Sequence, residues 1–113
     1  MNIICKLHDQ ILIIYIQGDV NLYNIEQFRT NLLEAIAGNE DKKIIFNLSE
    51  MQYIDSSGIG VLIQMYTKIN NKNTIRFCHV NQDLLAVFRV TRLDNFFIID
   101  QDETASIAAL SAS

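Results

Sequence analysis

KIIFNLSEMQYIDSSGIGVLI, residues 43 to 63, is the stretch whose reading decides the fold. It opens on Lys43 to Leu48, with Ile44-Ile45-Phe46 at the centre, a run of the residue types that suit a buried strand. Ser49 to Asp55 form a loop that still carries the apolar residues Met51, Tyr53 and Ile54. After it the spacing turns helical. Asp55 or Ser56 can cap the helix start, and Ile59, Leu62, Ile63, Tyr66 and Ile69 fall on one inward stripe. The helix runs to about Asn70, and Asn70-Asn71-Lys72-Asn73 closes it. Val61 and Met65 stand off the stripe, which places them on the surface near Ser56 as an expected partner-binding face.

Upstream, Asn2 to Leu7 reads as a short strand, His8-Asp9-Gln10 as a turn and Ile11 to Gln17 as a buried strand, so a hairpin is expected. Gly18-Asp19-Val20-Asn21 breaks that strand. Asn21 is the expected N-cap of a helix whose inward face carries Leu22, Ile25, Phe28, Leu32 and Ile36, ended by Gly38-Asn39. Downstream follow a strand at Thr74 to His79 and a short helix from Asp83 to about Val90, with Leu84, Val87 and Phe88 on one face. A last strand at Phe96 to Ile99, with Phe96 and Phe97 in the core, and a terminal helix at Glu103 to Leu110 complete the chain. The order β-β-α-β-α-β-α-β-α predicts an α/β fold in one domain over residues 1–113: a mixed, mostly parallel sheet of about five strands packed with about four α-helices. Each strand–helix–strand step should be a right-handed crossover.

A length of 113 residues, half of them hydrophobic and 19% charged, allows one core and no separate cofactor module. The longest apolar run, Ile11 to Ile16, is far short of the roughly 18 residues of a membrane span. No basic segment followed by a long apolar stretch marks a secretory signal at the N-terminus. Thirteen acidic against nine basic residues weigh against a nucleic-acid-binding face. The expectation is a cytoplasmic protein, monomeric when free, without nucleic-acid or membrane partners. Cys5, His8, Cys78 and His79 are candidate zinc ligands, but Cys78 and His79 are neighbours on a strand and point to opposite faces. The expected reading is no metal, and two buried thiols in a reducing compartment.

Asp55-Ser56-Ser57-Gly58 sits between a strand and a helix. The first turn of a helix leaves N–H groups unpaired and carries the positive end of its dipole. A hydroxyl placed there can accept a phosphoryl group whose charge the helix end partly stabilises. Gly58 and Gly60 remove side chains and would let another surface approach closely.

With these residues the sequence resembles the anti-sigma-factor antagonists, the bacterial single-domain members of the STAS family. The likeness is concentrated in residues 43 to 63 and continues in Gly18-Asp19-Val20-Asn21, where the family usually has Gly-Glu-Leu-Asp, and in residues 75 to 99. The resemblance implies a STAS-like fold and a non-enzymatic switch. The unmodified form would bind an anti-sigma factor that is also a serine kinase, releasing the sigma factor for transcription. The kinase would then use ATP, the protein itself holding no cofactor, to phosphorylate Ser56, with Ser57 the second candidate. A PP2C-type phosphatase would reset the switch. Asp19, Asn21, Tyr23, Tyr53, Asp55, Ser56, Ser57, Gly58, Val61 and Met65 are the expected partner-binding residues. Two departures stand out: Asn21 replaces the family's Asp, and Asn71-Lys72-Asn73 stands where Gly-Gly is frequent.

Two other readings compete. A constitutive STAS scaffold subunit of a stress-sensing or transporter complex would keep the fold without the phospho-switch. A serine hydrolase would need a base for Ser56, for which only His8 and His79 are available, and the Gly-x-Ser-x-Gly elbow is absent.

Overall fold

A computed structural model describes residues 1–69 and 74–112. Five strands form one sheet in the order β1-β2-β3-β4-β5: β1 (Asn2–His8), β2 (Ile11–Gln17), β3 (Lys43–Asn47), β4 (Ile75–Cys78) and β5 (Ile98–Asp100). β1 and β2 are antiparallel, joined by the two-residue turn Asp9-Gln10, and every other pair is parallel. The helices are α1 (Ile25–Ile36), α2 (Ser56–Lys68), α3 (Gln82–Val90) and α4 (Glu103–Ser111). A monotonic strand order built from right-handed crossovers forces the connecting helices onto one face. Accordingly Phe28 and Leu32 of α1, Leu62 and Met65 of α2, and Leu84 and Phe88 of α3 share one core with Leu12, Ile14, Ile44, Phe46 and Phe77 of the sheet. α4 returns to the opposite face, where Leu110 and Ile107 pack on Ile11, Ile13 and Ile45. Central strands covered on both sides explain the unbroken apolar runs of β2 and β3.

Phe77 is the hub of the larger core. Its ring stacks on Phe46 at 4.9 Å and on Phe97 at 4.4 Å, and meets Phe88 edge-on at 6.0 Å. Phe97 is thus core as expected, whereas Phe96 is 63% exposed. The 3₁₀ turn Leu93–Asn95 is the reason: the Phe97 N–H donates to the Leu93 carbonyl, so Leu93 and Phe97 face inward together and Phe96 is turned out. There Phe96 joins Ile63, Tyr66 and Thr67 in lining a shallow apolar groove of about 300 Å³.

Three other expectations are corrected. The buried stripe of α2 is Gly58, Ile59, Val61, Leu62 and Met65, continued by Ile69, so Val61 and Met65 are core and Ile63 is surface. Cys78 is buried, but Cys5 is exposed on the edge strand β1. Leu22 is 70% exposed, because α1 starts three residues later than expected. The expected closing turn of α2, Asn70 to Asn73, falls outside the described residues.

Candidate functional site

The loops that leave β2 and β3 run side by side beyond the carboxyl ends of the strands. Gly18 ends β2 with φ 92°, a left-handed conformation that glycine adopts without strain. From there residues 18–20 run parallel to residues 50–54, closed by an isolated bridge between Val20 and Ile54. The Gly18 N–H donates to the Glu50 carbonyl (2.9 Å), the Val20 N–H to the Tyr53 carbonyl (3.2 Å) and the Asp55 N–H to the Val20 carbonyl (3.1 Å).

Two carboxylates stitch the loops from opposite sides. Asp19 Oδ1 accepts the N–H groups of Gln52 (2.9 Å) and Tyr53 (3.1 Å). Asp55 Oδ2 accepts the Leu22 N–H (2.9 Å). Asp55 is also the N-cap of α2, its Oδ1 taking the Gly58 N–H (3.1 Å) and the Ser57 hydroxyl. The hydroxyl of Ser57 above all, then the Gly58 and Leu22 N–H groups, hold the Asp55 carboxyl below its usual pKa against an opposing desolvation effect.

The two serines therefore differ. Ser56, the first residue of α2, is exposed, and its hydroxyl has no partner among the described residues. Ser57 is half-buried and its hydroxyl is engaged. Gly58 is not an open approach for a partner, as the sequence suggests. A Cβ there would stand 2.5 Å from Ile54 Cγ1 and 2.9 Å from Val20 Cγ1, so this glycine lets α2 seat on the bridge between the loops. Gly60, by contrast, faces open space.

Asn21 is not the cap of α1. Its Oδ1 accepts the Tyr23 N–H (2.9 Å), and its own N–H goes to Asn24 Oδ1 (3.0 Å). With the Leu22 N–H taken by Asp55, residues 21–24 form a turn, and α1 begins only at Ile25. The turn holds Tyr23 98% exposed and Leu22 70% exposed, while Tyr53 on the other loop is 53% exposed. The structure thus brings Asp19, Asn21, Tyr23, Tyr53, Asp55, Ser56 and Ser57 to one rim. It removes Val61 and Met65 to the core and adds Leu22. The signal for Leu22 was present: Asp19, Asn21 and Asn24 are turn formers, and three of them within six residues favour a turn over a helix start.

The remaining candidates lie elsewhere. His8 ends β1 beside the start of β2, at the opposite end of the sheet from the serines. His79 Nε2 accepts the Glu103 N–H (3.2 Å) at the start of α4. Around it, Asn47 donates to Glu103 Oε1, Arg76 pairs with Asp100, and the Ser106 hydroxyl donates to Asp100 Oδ2. Burial and a hydrogen bond to Glu103 push the Tyr15 phenol up to about 12, and burial pushes the Cys78 thiol up to about 12. Both are thus held in their neutral forms, and the hydrogen bonds of this cluster anchor α4 to the sheet.

The family model of the STAS domain matches residues 2–106. A relative from Paenibacillus polymyxa, an anti-sigma F factor antagonist, is 27% identical over 104 residues, covering 91% of this chain and 89% of its own. The fold is similar to the crystal structure of an anti-sigma factor antagonist from Mycobacterium paratuberculosis, with a TM-score of 0.86 at 14% identity over 97% of this chain and 93% of that one. It is similar also to the phosphorylated form of the Bacillus cell fate determinant SpoIIAA, with a TM-score of 0.66 at 18% identity over 96% of this chain and 99% of that one. With the STAS model matching residues 2–106, and with a five-stranded sheet and four α-helices among the described residues, the chain belongs to the STAS-domain family.

Proposed function

We propose that this chain is an anti-sigma-factor antagonist of the cytoplasm, a binding module and not a catalyst. It binds an anti-sigma factor that is also a serine kinase, frees the sigma factor, and is switched off when the kinase uses ATP to phosphorylate Ser56. A PP2C-type phosphatase reverses the step. The observation that carries the reading is the exposed, unengaged Ser56 hydroxyl at the start of α2, set on a rim with Leu22, Tyr23 and Tyr53. The antagonist role of the Paenibacillus relative and the phosphorylated SpoIIAA fold support it.

The chemistry is consistent. Exposed tyrosines and a leucine around one point make a surface suited to a protein partner. A phosphate there adds about 1.5 to 2 negative charges, which the partner would have to desolvate beside its own ATP phosphates. Within this chain the same charge sits at the positive end of α2 and is tolerated. Asn21 keeps its hold on the Tyr23 N–H, so lacking the family's Asp does not release that loop.

The test is intact mass after incubation with ATP and the serine-kinase anti-sigma factor of the same organism. One added phosphoryl group on the wild type, absent in Ser56→Ala, is expected, together with weakened binding of Ser56→Asp to the kinase. An unmodified wild type, with the kinase active on another substrate, or tight binding of Ser56→Asp, would overturn the switch.

A further inference from the structure

We propose that Asp55 decides which of the two adjacent serines receives the phosphate, by holding the Ser57 hydroxyl against its own Oδ1. The inference rests on the phosphorylation reading above and adds a specificity-determining residue to it. Two serines stand in sequence, both in the first turn of α2, and either is chemically able to accept a phosphoryl group. The transfer forms a bond between a serine Oγ and the γ-phosphorus of ATP and breaks the bond from that phosphorus to the β–γ bridging oxygen. ADP leaves, and the serine proton passes to a base of the kinase. The attacking hydroxyl must therefore be free to turn its lone pair toward the phosphorus and its proton toward that base.

Ser56 meets this condition and Ser57 does not. Ser57 is half-buried and its proton points back at Asp55 Oδ1. An aspartate beside a hydroxyl can instead act as a base and activate it, so the state of this carboxylate matters. Asp55 accepts the Gly58 and Leu22 N–H groups as well as the Ser57 hydroxyl. A carboxylate whose charge is spread over three donors holds protons weakly, in line with its depressed pKa. It restrains Ser57 and does not activate it. Asp55 is a positioning residue: it need touch neither ATP nor the reacting oxygen of Ser56.

Removing a hydrogen bond to a charged group should raise attack by Ser57 about tenfold or more relative to Ser56. Site-resolved mass spectrometry after incubation with ATP and the same kinase reads that ratio for wild type, Asp55→Ala and Asp55→Asn. In the wild type the phosphate should map overwhelmingly to Ser56, with Ser57 a small minority. In Asp55→Ala the Ser57 share should rise at least about tenfold. Asp55→Asn, which keeps a side-chain acceptor for the cap, should be folded and fall between them. A general loss of structure would lower both sites together and leave their ratio alone. A Ser57 share equal to or above that of Ser56 in the wild type, or an unchanged ratio in a folded Asp55 variant, would overturn the proposal. Should Asp55→Ala fail to fold, the ratio in Asp55→Asn decides. An absence of phosphoserine at either position in the wild type would instead overturn the phosphorylation reading itself.

Discussion

The two helices that start at the carboxyl ends of β2 and β3 begin in opposite ways. α2 starts on Asp55, an extended residue whose carboxylate caps the first turn. α1 starts on Asn24, whose side chain makes no cap; it donates to the Asp19 carbonyl and accepts from the Asn21 N–H. The α2 start is fixed by side-chain oxygen, bridge and buried glycine, and it fixes the backbone from which the unengaged Ser56 hydroxyl projects. The α1 start is a short turn that presents Leu22 and Tyr23 to solvent. Each loop nevertheless carries the carboxylate that secures the other: Asp19 holds Gln52 and Tyr53, and Asp55 holds Leu22. One start places the group to be modified, the other displays the surface that modification would affect, and the crossed bonds make them one unit.

Gly58 is where that unit is most exposed to disruption. In Gly58→Ala the new methyl must displace Ile54 and Val20, both fully buried, and so separate the loops. Overpacking of this kind costs about 1 to 3 kcal/mol, and the upper part of that range is expected. Gly60→Ala, two residues on and facing open space, should instead stabilise the helix by roughly 0.5 to 1 kcal/mol. Denaturant unfolding of both variants reads the difference. Equal effects would mean that the tight seat at Gly58 does not set the geometry of the rim.

The two carboxylates come next. Asp55→Ala removes a cap and the tie to Leu22, and should cost about 1 to 2 kcal/mol at pH 7. Asp19→Ala removes the one oxygen that accepts two exposed N–H groups, which water can satisfy, and should cost less, about 0.5 to 1 kcal/mol. The first effect should also depend on pH. Because the folded pKa of Asp55 lies below its unfolded value, its contribution is full above the ordinary carboxylate value of about 3.9 and is lost as pH falls through the folded pKa. The gap between wild type and Asp55→Ala should therefore be constant from pH 7 to about 5 and narrow only in strong acid. A gap already closing near pH 6 would place the effect on some other group.

Most of the architecture was legible because its signals are local. Runs such as Ile44-Ile45-Phe46 leave little choice but a buried strand, and the order of strands and helices fixes the layers. The Asp-Ser-Ser-Gly segment was legible as a helix start with a displayed hydroxyl. What failed were judgements that hydropathy cannot make. The stripe of α2 was rotated because its tightest contact belongs to Gly58, which carries no apolar signal; once Gly58 is counted inward, Val61, Leu62, Met65 and Ile69 follow at helical spacing. Leu22 matches the period of α1 and so reads as inward, while one bond that fixes its backbone in the turn comes from Asp55, 33 residues away. Phe96 and Phe97 are identical in type, and only the 3₁₀ turn before them decides which is core.

The smallest effect on stability should accompany a clear effect on recognition. Tyr23 is 98% exposed, so Tyr23→Ala removes almost no packing and should leave unfolding within about 0.5 kcal/mol of wild type. If the turn of α1 exists to display side chains, the same change should weaken binding to the anti-sigma factor about tenfold or more, the scale of an aromatic hot spot. Phe96→Ala serves as the control. It is exposed and aromatic too, but it lies on the groove beside Ile63 and Tyr66, well along α2 from Ser56. Its loss should leave binding unchanged. Calorimetric titration of the partner into the two variants separates the ends of the helix. Weakening by Phe96→Ala and not by Tyr23→Ala would move the recognition surface to the groove, and the paired loops would then be a scaffold for the serine alone.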